Sequence, residues 1–251
     1  MSYERALYSH RFSEAEGRLR QRVWEILCRD FFSRYVSSSD TVLDLAAGDG
    51  LFVRNIRARK RIALDTNPDV ERSAKEGIEV IRCCAKEIRL HLTQPVDVIF
   101  MSNFLEHLPT KTDVLDLLNE CRQCLTPRGR LLILQPNIRY VGAAYWDYID
   151  HHIALTERSL AEALEISGYE VLELIPRFLP YTVKSRLGSV LGGLAVAELT
   201  TLYLRLPLLW KLFGAQAFAV ARARAIPLNE RADEKARTHT NEGNKAAASS
   251  Y

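Results

Sequence analysis

The chain lacks most of the features that would place it outside the ordinary enzymes. It has no uninterrupted apolar run of the ~20 residues a bilayer span requires, because Glu198, Arg205, Pro207 and Lys211 break its most hydrophobic stretch. Its first residues, Met-Ser-Tyr-Glu-Arg, lack the apolar core of a secretory signal, so cytoplasmic residence is the default expectation. Charge of one sign is also scarce: a formal net charge of +3 is too small to suggest tracking along nucleic acid. Cysteines number five, an odd count that does not suggest a disulfide scaffold. Cys121 and Cys124 have metal-ligand spacing, but they share an apolar helical stripe with Val114, Leu117, Leu118 and Leu125. A zinc site would need a second pair, and Cys83 and Cys84, adjacent on an expected strand, would face opposite ways. No metal is therefore expected. Glycine is missing at position 53, where a nicotinamide-binding G-x-G-x-x-G turn would have its third and this chain has Val53.

What is present is an alternation of strands and helices that demands a mainly parallel sheet. Strands are expected near 41–46, 61–65, 78–83, 96–102, 130–135, 169–175 and 217–222, after a helical region from about 14 to 35. Thr41 to Leu45 is apolar except for Asp44, then breaks at Gly48 and Gly50 before a helical period starts at Leu51. The second strand ends on Asp65, 17 residues after Gly48, where an acid can accept hydrogen bonds from two ribose hydroxyls. Thr156 caps a helix that Gly168 terminates, with Leu155 and Leu160 placed to form a hydrophobic staple.

The acid in the first strand, the glycine turn and the acid ending the second strand resemble the class I S-adenosylmethionine-dependent methyltransferases. Ala46 stands where that family's first glycine usually does. The resemblance covers roughly residues 40 to 222, with Val96–Leu108 similar to the fourth strand and cofactor-closing loop and Leu125–Leu134 to the following turn and strand. It implies a Rossmann-like, doubly wound α/β fold whose seven-stranded sheet ends in an antiparallel strand, and S-adenosylmethionine as cofactor. Residues 1–39 would be the helical N-terminal region, 40–223 the cofactor-binding domain and 224–251 a disordered tail. The cofactor contacts it implies are Asp44, Ala46, Gly48, Asp49, Gly50, Asp65, Thr66, Ser102, Asn103 and Phe104. Where the family often has an adenine-binding acid, this chain has Cys84 and Ala85, with Glu87 one turn further on.

Methylating a hydroxyl needs a proton acceptor, and histidine suits that task near neutral pH. Of six histidines, His107, His151 and His152 follow the fourth and fifth strands, at the carboxyl edge where open α/β sheets bind ligands. Asp150 stands beside the latter two and can orient one imidazole while the other faces the acceptor. His151 is the leading candidate base; a loop-shaping role for the same residues stays open.

Between the sixth and seventh strands the chain inserts about forty mostly apolar residues, 177–216, where a hairpin would suffice. A lid, a homodimer face or a membrane-surface contact through 184–214 are the readings, and shortening that stretch is expected to leave the sheet folded. Nucleic-acid acceptors are disfavoured: Ser102-Asn103-Phe104-Leu105 is not the Asp/Asn-Pro-Pro-aromatic run of amino methyltransferases of DNA, and there is no Pro-Cys dipeptide. The Asp150–Thr156 loop with Arg177–Thr182 looks like bacterial methyltransferases associated with polysaccharide or glycolipid synthesis. The implied acceptor is a small molecule, a saccharide or a lipid-linked saccharide; the alternative is a noncatalytic module that binds S-adenosylmethionine.

Overall fold

A computed structural model describes residues 14–181 and 193–224. The expected tail from residue 225 on, His10, His239, Leu187, Val190 and Leu191 lie outside the described residues. Seven strands form one sheet in the order β3-β2-β1-β4-β5-β7-β6. They are β1 (Thr41–Leu45), β2 (Lys60–Leu64), β3 (Glu79–Ile81), β4 (Val96–Ser102), β5 (Leu125–Pro136), β6 (Tyr169–Ile175) and β7 (Gln216–Ala223). All neighbouring pairs are parallel except those of β7, which runs antiparallel to β5 and β6.

Because side chains alternate across a strand, the apolar central strands feed two cores. Leu43, Leu45, Ile99, Met101, Leu131 and Ile133 face one side, where α3 (Lys111–Cys124) and α4 (Glu157–Ile166) cover them. Val42, Val98, Phe100, Leu132 and Leu134 face the other, beneath α1 (Glu14–Asp30) and α2 (Leu51–Asn55). Both helices on the first side start at capping boxes, Thr110 with Asp113 and Thr156 with Ser159. Gly168, at φ 80°, follows the end of α4. Cys121 and Cys124 are buried in this first core, and burial raises both thiols. The basic stretch after α2 serves local structure: Arg61 donates to the carbonyls of Val53 and Arg54, and Arg59 to that of Ser39.

Two boundaries differ from expectation. β3 stops at Ile81, so Cys83 and Cys84 lie beyond it; an edge strand with β2 as its one partner has no second ladder to extend it. β5 starts at Leu125, since Val96 pairs with Leu125 across a register shift and draws the anticipated turn into the ladder.

The insertion forms α5 (Gly193–Arg205) and α6 (Pro207–Phe213) among its described residues. It is not a detachable appendage. Val196, Leu204 and Trp210 are buried, and the last two join the second core with Phe31, Phe178 and Phe218. The Arg177 guanidinium ties its neck by donating to the carbonyls of Gly214 (2.8 Å) and Leu212 (2.9 Å). Leu199, Leu202, Leu206, Leu208, Leu212 and Phe213 remain exposed on the outside. No helix among the described residues is long and apolar enough to cross a membrane.

Candidate functional site

The turn after β1 requires unusual backbone. Ala46, Gly48 and Gly50 have φ of 58°, 57° and 74°, in the left-handed region that glycine enters freely and alanine at a cost. A Cβ on Gly50 would lie 2.2 Å from the Ser73 hydroxyl oxygen, which would have to turn aside, and the left-handed φ of 74° strains any side chain there. Asp65, at the end of β2, braces the turn: its carboxylate accepts from the Gly48 N–H (2.7 Å) and the Asn67 N–H (2.7 Å). Asp44 secures the helix that follows the turn. It is buried and accepts from the Val53 N–H at 3.2 Å, anchoring the first turn of α2 from beneath. Burial drives its carboxyl well above the usual carboxylate range, although the Val53 bond acts in the opposite direction. Asp49 pairs with Arg20 of α1 at 3.3 Å.

Because Ala46 holds a left-handed conformation, Ala46→Gly is expected to stabilise the protein by about 0.5–1 kcal/mol, the relief of that strain less glycine's extra chain entropy. Urea unfolding measures it; equal or lower stability would show that Ala46 is unstrained.

The remaining expected cofactor contacts stand along the same carboxyl edge. Thr66 follows Asp65 and is exposed, as is Cys84, whereas Ala85 is buried. The Glu87 N–H donates to the Cys84 carbonyl at 2.9 Å, so the adenine-side candidates occupy one tight turn after β3. Ser102 ends β4; Asn103, at φ 50°, donates its N–H to the Leu134 carbonyl (2.8 Å) and reverses the chain into Phe104.

Beyond β4 and β5, two loops are stitched together. The Glu106 carbonyl accepts from the N–H groups of His152 (2.8 Å) and Ile153 (3.2 Å), which places Glu106 and His107 against the loop carrying Asp150 and His151. His107 Nδ1 lies 2.9 Å from the Asp150 carbonyl oxygen and 3.4 Å from its carboxylate. The rings of His107 and His151 are 5.1 Å apart, Tyr148 stacks on His151 at 5.1 Å, and Tyr145 lies 4.7 Å away. The Tyr145 hydroxyl donates to the Ile153 carbonyl. Asp150 thus orients His107 across the loops, where its sequence position suggests an imidazole next door. His152 is exposed and does not join the cluster's rings.

Glu106 is the member that the sequence reading passed over. Only 3% of it is exposed, and its Oε2 has no hydrogen-bond partner among the described residues. Burial pushes its carboxyl up to about 8, with the nearby Asp150 charge adding to the effect. The available signal was an acid directly before a histidine in the loop at a strand's carboxyl end.

A doubly wound sheet with a reversed seventh strand, a left-handed turn after β1 and a bracing acid after β2 defines the class I methyltransferase architecture. Residues 17–174 match the methyltransferase domain family, and the chain belongs to that family. No curated protein matches the sequence. Among solved structures, a SAM-dependent methyltransferase from Archaeoglobus fulgidus shares the fold at TM-score 0.58 and 20% identity, over 82% of this chain and 94% of the other. The plantazolicin methyltransferase BamL, solved with a triazolic desmethylPZN analog and SAH, gives 0.59 and 16%, over 88% and 91%. A third, an S-adenosylmethionine-dependent methyltransferase from Clostridium acetobutylicum, gives 0.56 and 9%, over 82% and 92%. S-adenosylmethionine is the cofactor that the family implies, and the turn fits it: Gly48 and Gly50 carry no side chain, and Asp65 is set against the turn.

Proposed function

We propose that the protein is an S-adenosylmethionine-dependent O-methyltransferase whose acceptor hydroxyl is activated at the Glu106, His107, Asp150 and His151 cluster. The observation that carries this reading is the meeting of two loops, through the Glu106 carbonyl, at the same sheet edge as the β1 turn. When bound, S-adenosylmethionine supplies a methyl group on a positively charged sulfur. The protein's share is alignment of the acceptor and removal of its proton. The turn residues and Asp65 hold the nucleoside end. His107, oriented by Asp150, and its neighbour His151 activate the acceptor's hydroxyl for loss of its proton.

The acceptor class we favour is a saccharide, free or lipid-linked. Trp146 is 55% exposed and packs edge-on against the buried Tyr145 at 5.1 Å, offering an indole face beside the cluster. Tyr140, in the helical turn Ile138–Val141, adds a second partly exposed ring, one face of which lies under the Arg177 guanidinium at 4.6 Å. Such flat, rigid surfaces bury the apolar face of a ring at small entropic cost.

Titration calorimetry with S-adenosylmethionine tests the cofactor half. Asp65→Ala is expected to weaken binding by about 1–3 kcal/mol, the range for a charged group's lost hydrogen bonds. Unchanged affinity in a variant that keeps its circular dichroism would remove the β1–β2 edge as the cofactor site. Binding without S-adenosylhomocysteine formation on any hydroxylated saccharide would favour the noncatalytic module.

A further inference from the structure

Glu106, His107 and His151 each bring one oxygen or nitrogen to within 4.8 Å of the others. One carboxylate and two imidazoles are a donor set that borderline divalent first-row cations accept. We propose that these three side chains bind a divalent transition-metal cation, which holds the acceptor's hydroxyl; the site itself stands on geometry, while its role rests on the methyltransferase reading above.

Three observations carry the site. The first is Glu106 Oε2, buried and without a hydrogen-bond partner among the described residues. Buried polar atoms are normally satisfied, and one that is not marks a place where a ligand or ion completes the structure. The second is the contact of His107 Nδ1 with Asp150, at 2.9 Å to the carbonyl and 3.4 Å to the carboxylate. A ligating imidazole usually donates its other ring N–H to such an oxygen, which fixes the tautomer and turns the second nitrogen toward the metal. The third is the pair of backbone bonds from His152 and Ile153 to the Glu106 carbonyl, which sets the two ligand-bearing loops in register without any ion.

The chemistry that follows differs from a lone histidine base. Three protein ligands leave positions open on the cation, as in catalytic rather than structural sites. A hydroxyl oxygen taking one of them becomes more acidic: its O–H bond breaks near neutral pH, the electron pair stays on oxygen and the proton leaves to water. Two adjacent open positions suit neighbouring hydroxyls, as on a sugar ring, so the site would select a vicinal diol over an isolated alcohol.

The experiment is a Co²⁺ titration of chelator-treated protein, followed by calorimetry and by visible absorption. A second group, Cys83, Glu87 and His91, has comparable spacing near β3 and serves as the internal control through His91→Ala. The proposal expects Co²⁺ binding that survives in His91→Ala and in His152→Ala. It expects affinity to fall at least about 100-fold in His151→Ala and in Glu106→Gln, and about 10-fold in Asp150→Asn, with the visible band displaced. Should His151→Ala not fold, His151→Gln takes its place, and circular dichroism qualifies each variant. No binding by the wild-type protein at millimolar Co²⁺ overturns the site, and so does binding that persists in both ligand variants or disappears with His91. S-adenosylhomocysteine titrated into the same samples separates the two ideas: Co²⁺ bound without it defeats the methyltransferase reading and leaves the metal site standing.

Discussion

Replacing His151 with Ala is expected to lower turnover by roughly 10²- to 10⁴-fold, the scale of losing a group that acts on a reacting proton. Affinity for S-adenosylmethionine should stay nearly the same, because His151 lies in the loop after β5 whereas the turn proposed to hold the cofactor follows β1. Its neighbours explain why the loss should be large. The imidazole is held between Tyr148, Tyr145 and His107, so no other ring shifts into its place without disturbing the stack. His107→Ala should fall on the same scale, since it removes the imidazole that Asp150 orients. His152, exposed and outside the ring cluster, supplies the comparison on the same loop. The measurement is S-adenosylhomocysteine release under saturating cofactor, beside calorimetric affinity. A loss of less than about threefold at His151 would move proton removal away from the cluster, because even a modest general-base role exceeds that. A parallel collapse of cofactor affinity would make His151 part of the nucleoside pocket.

Much of this arrangement is readable from local pattern, and the exceptions share one cause. β4 and β6 match their expected bounds and β1 falls within one residue of its own, because each lies between clear turn signals. Gly48 and Gly50 announce the turn by their residue type. Ala46 does not: its left-handed φ follows from the Ala47 N–H donating to the Leu64 carbonyl and the Gly48 N–H donating to Asp65. Tertiary bonds to β2 and the residue after it override alanine's own preference. The histidine cluster follows the same rule. Asp150 adjoins His151 in the chain, and loop conformation also brings its carbonyl oxygen to His107, 43 residues away, a contact that sequence position does not suggest. Glu106 was hidden for a related reason. An acid in a strand-end loop reads as solvated until a second loop closes over it, and that closure is made by backbone bonds from His152 and Ile153 that leave no trace in residue type.

The insertion shows the same effect in its energetics. As sequence, 184–214 is a surplus between two strands that a tight turn would join; as structure, it supplies part of a core. Trp210 is 9% exposed, lies edge-on to Phe31 at 5.9 Å and to Phe178 at 5.2 Å, and donates its indole N–H to the Tyr203 carbonyl at 2.7 Å. Phe31 in turn stacks on Phe178 at 4.1 Å and meets Phe218 of β7 at 5.2 Å, so the aromatic set links the end of α1, the neck of the insertion and the sheet. Truncating a buried aromatic removes its transfer free energy and leaves a cavity that close-packed neighbours fill only in part. Trp210→Ala is therefore expected to destabilise the protein by about 3–5 kcal/mol. The same packing means that excising 184–214 should lower stability rather than leave the sheet untouched. Because Trp210 belongs to the second core and the turn proposed to hold the cofactor is braced by Asp65, the folded fraction of Trp210→Ala should still bind S-adenosylmethionine. Urea unfolding of the variant, with calorimetry below the transition, measures both quantities. A cost under about 1 kcal/mol, in the range of surface substitutions, would return the insertion to the status of a mobile cover; an intact fold that no longer binds the cofactor would make it part of the nucleoside site.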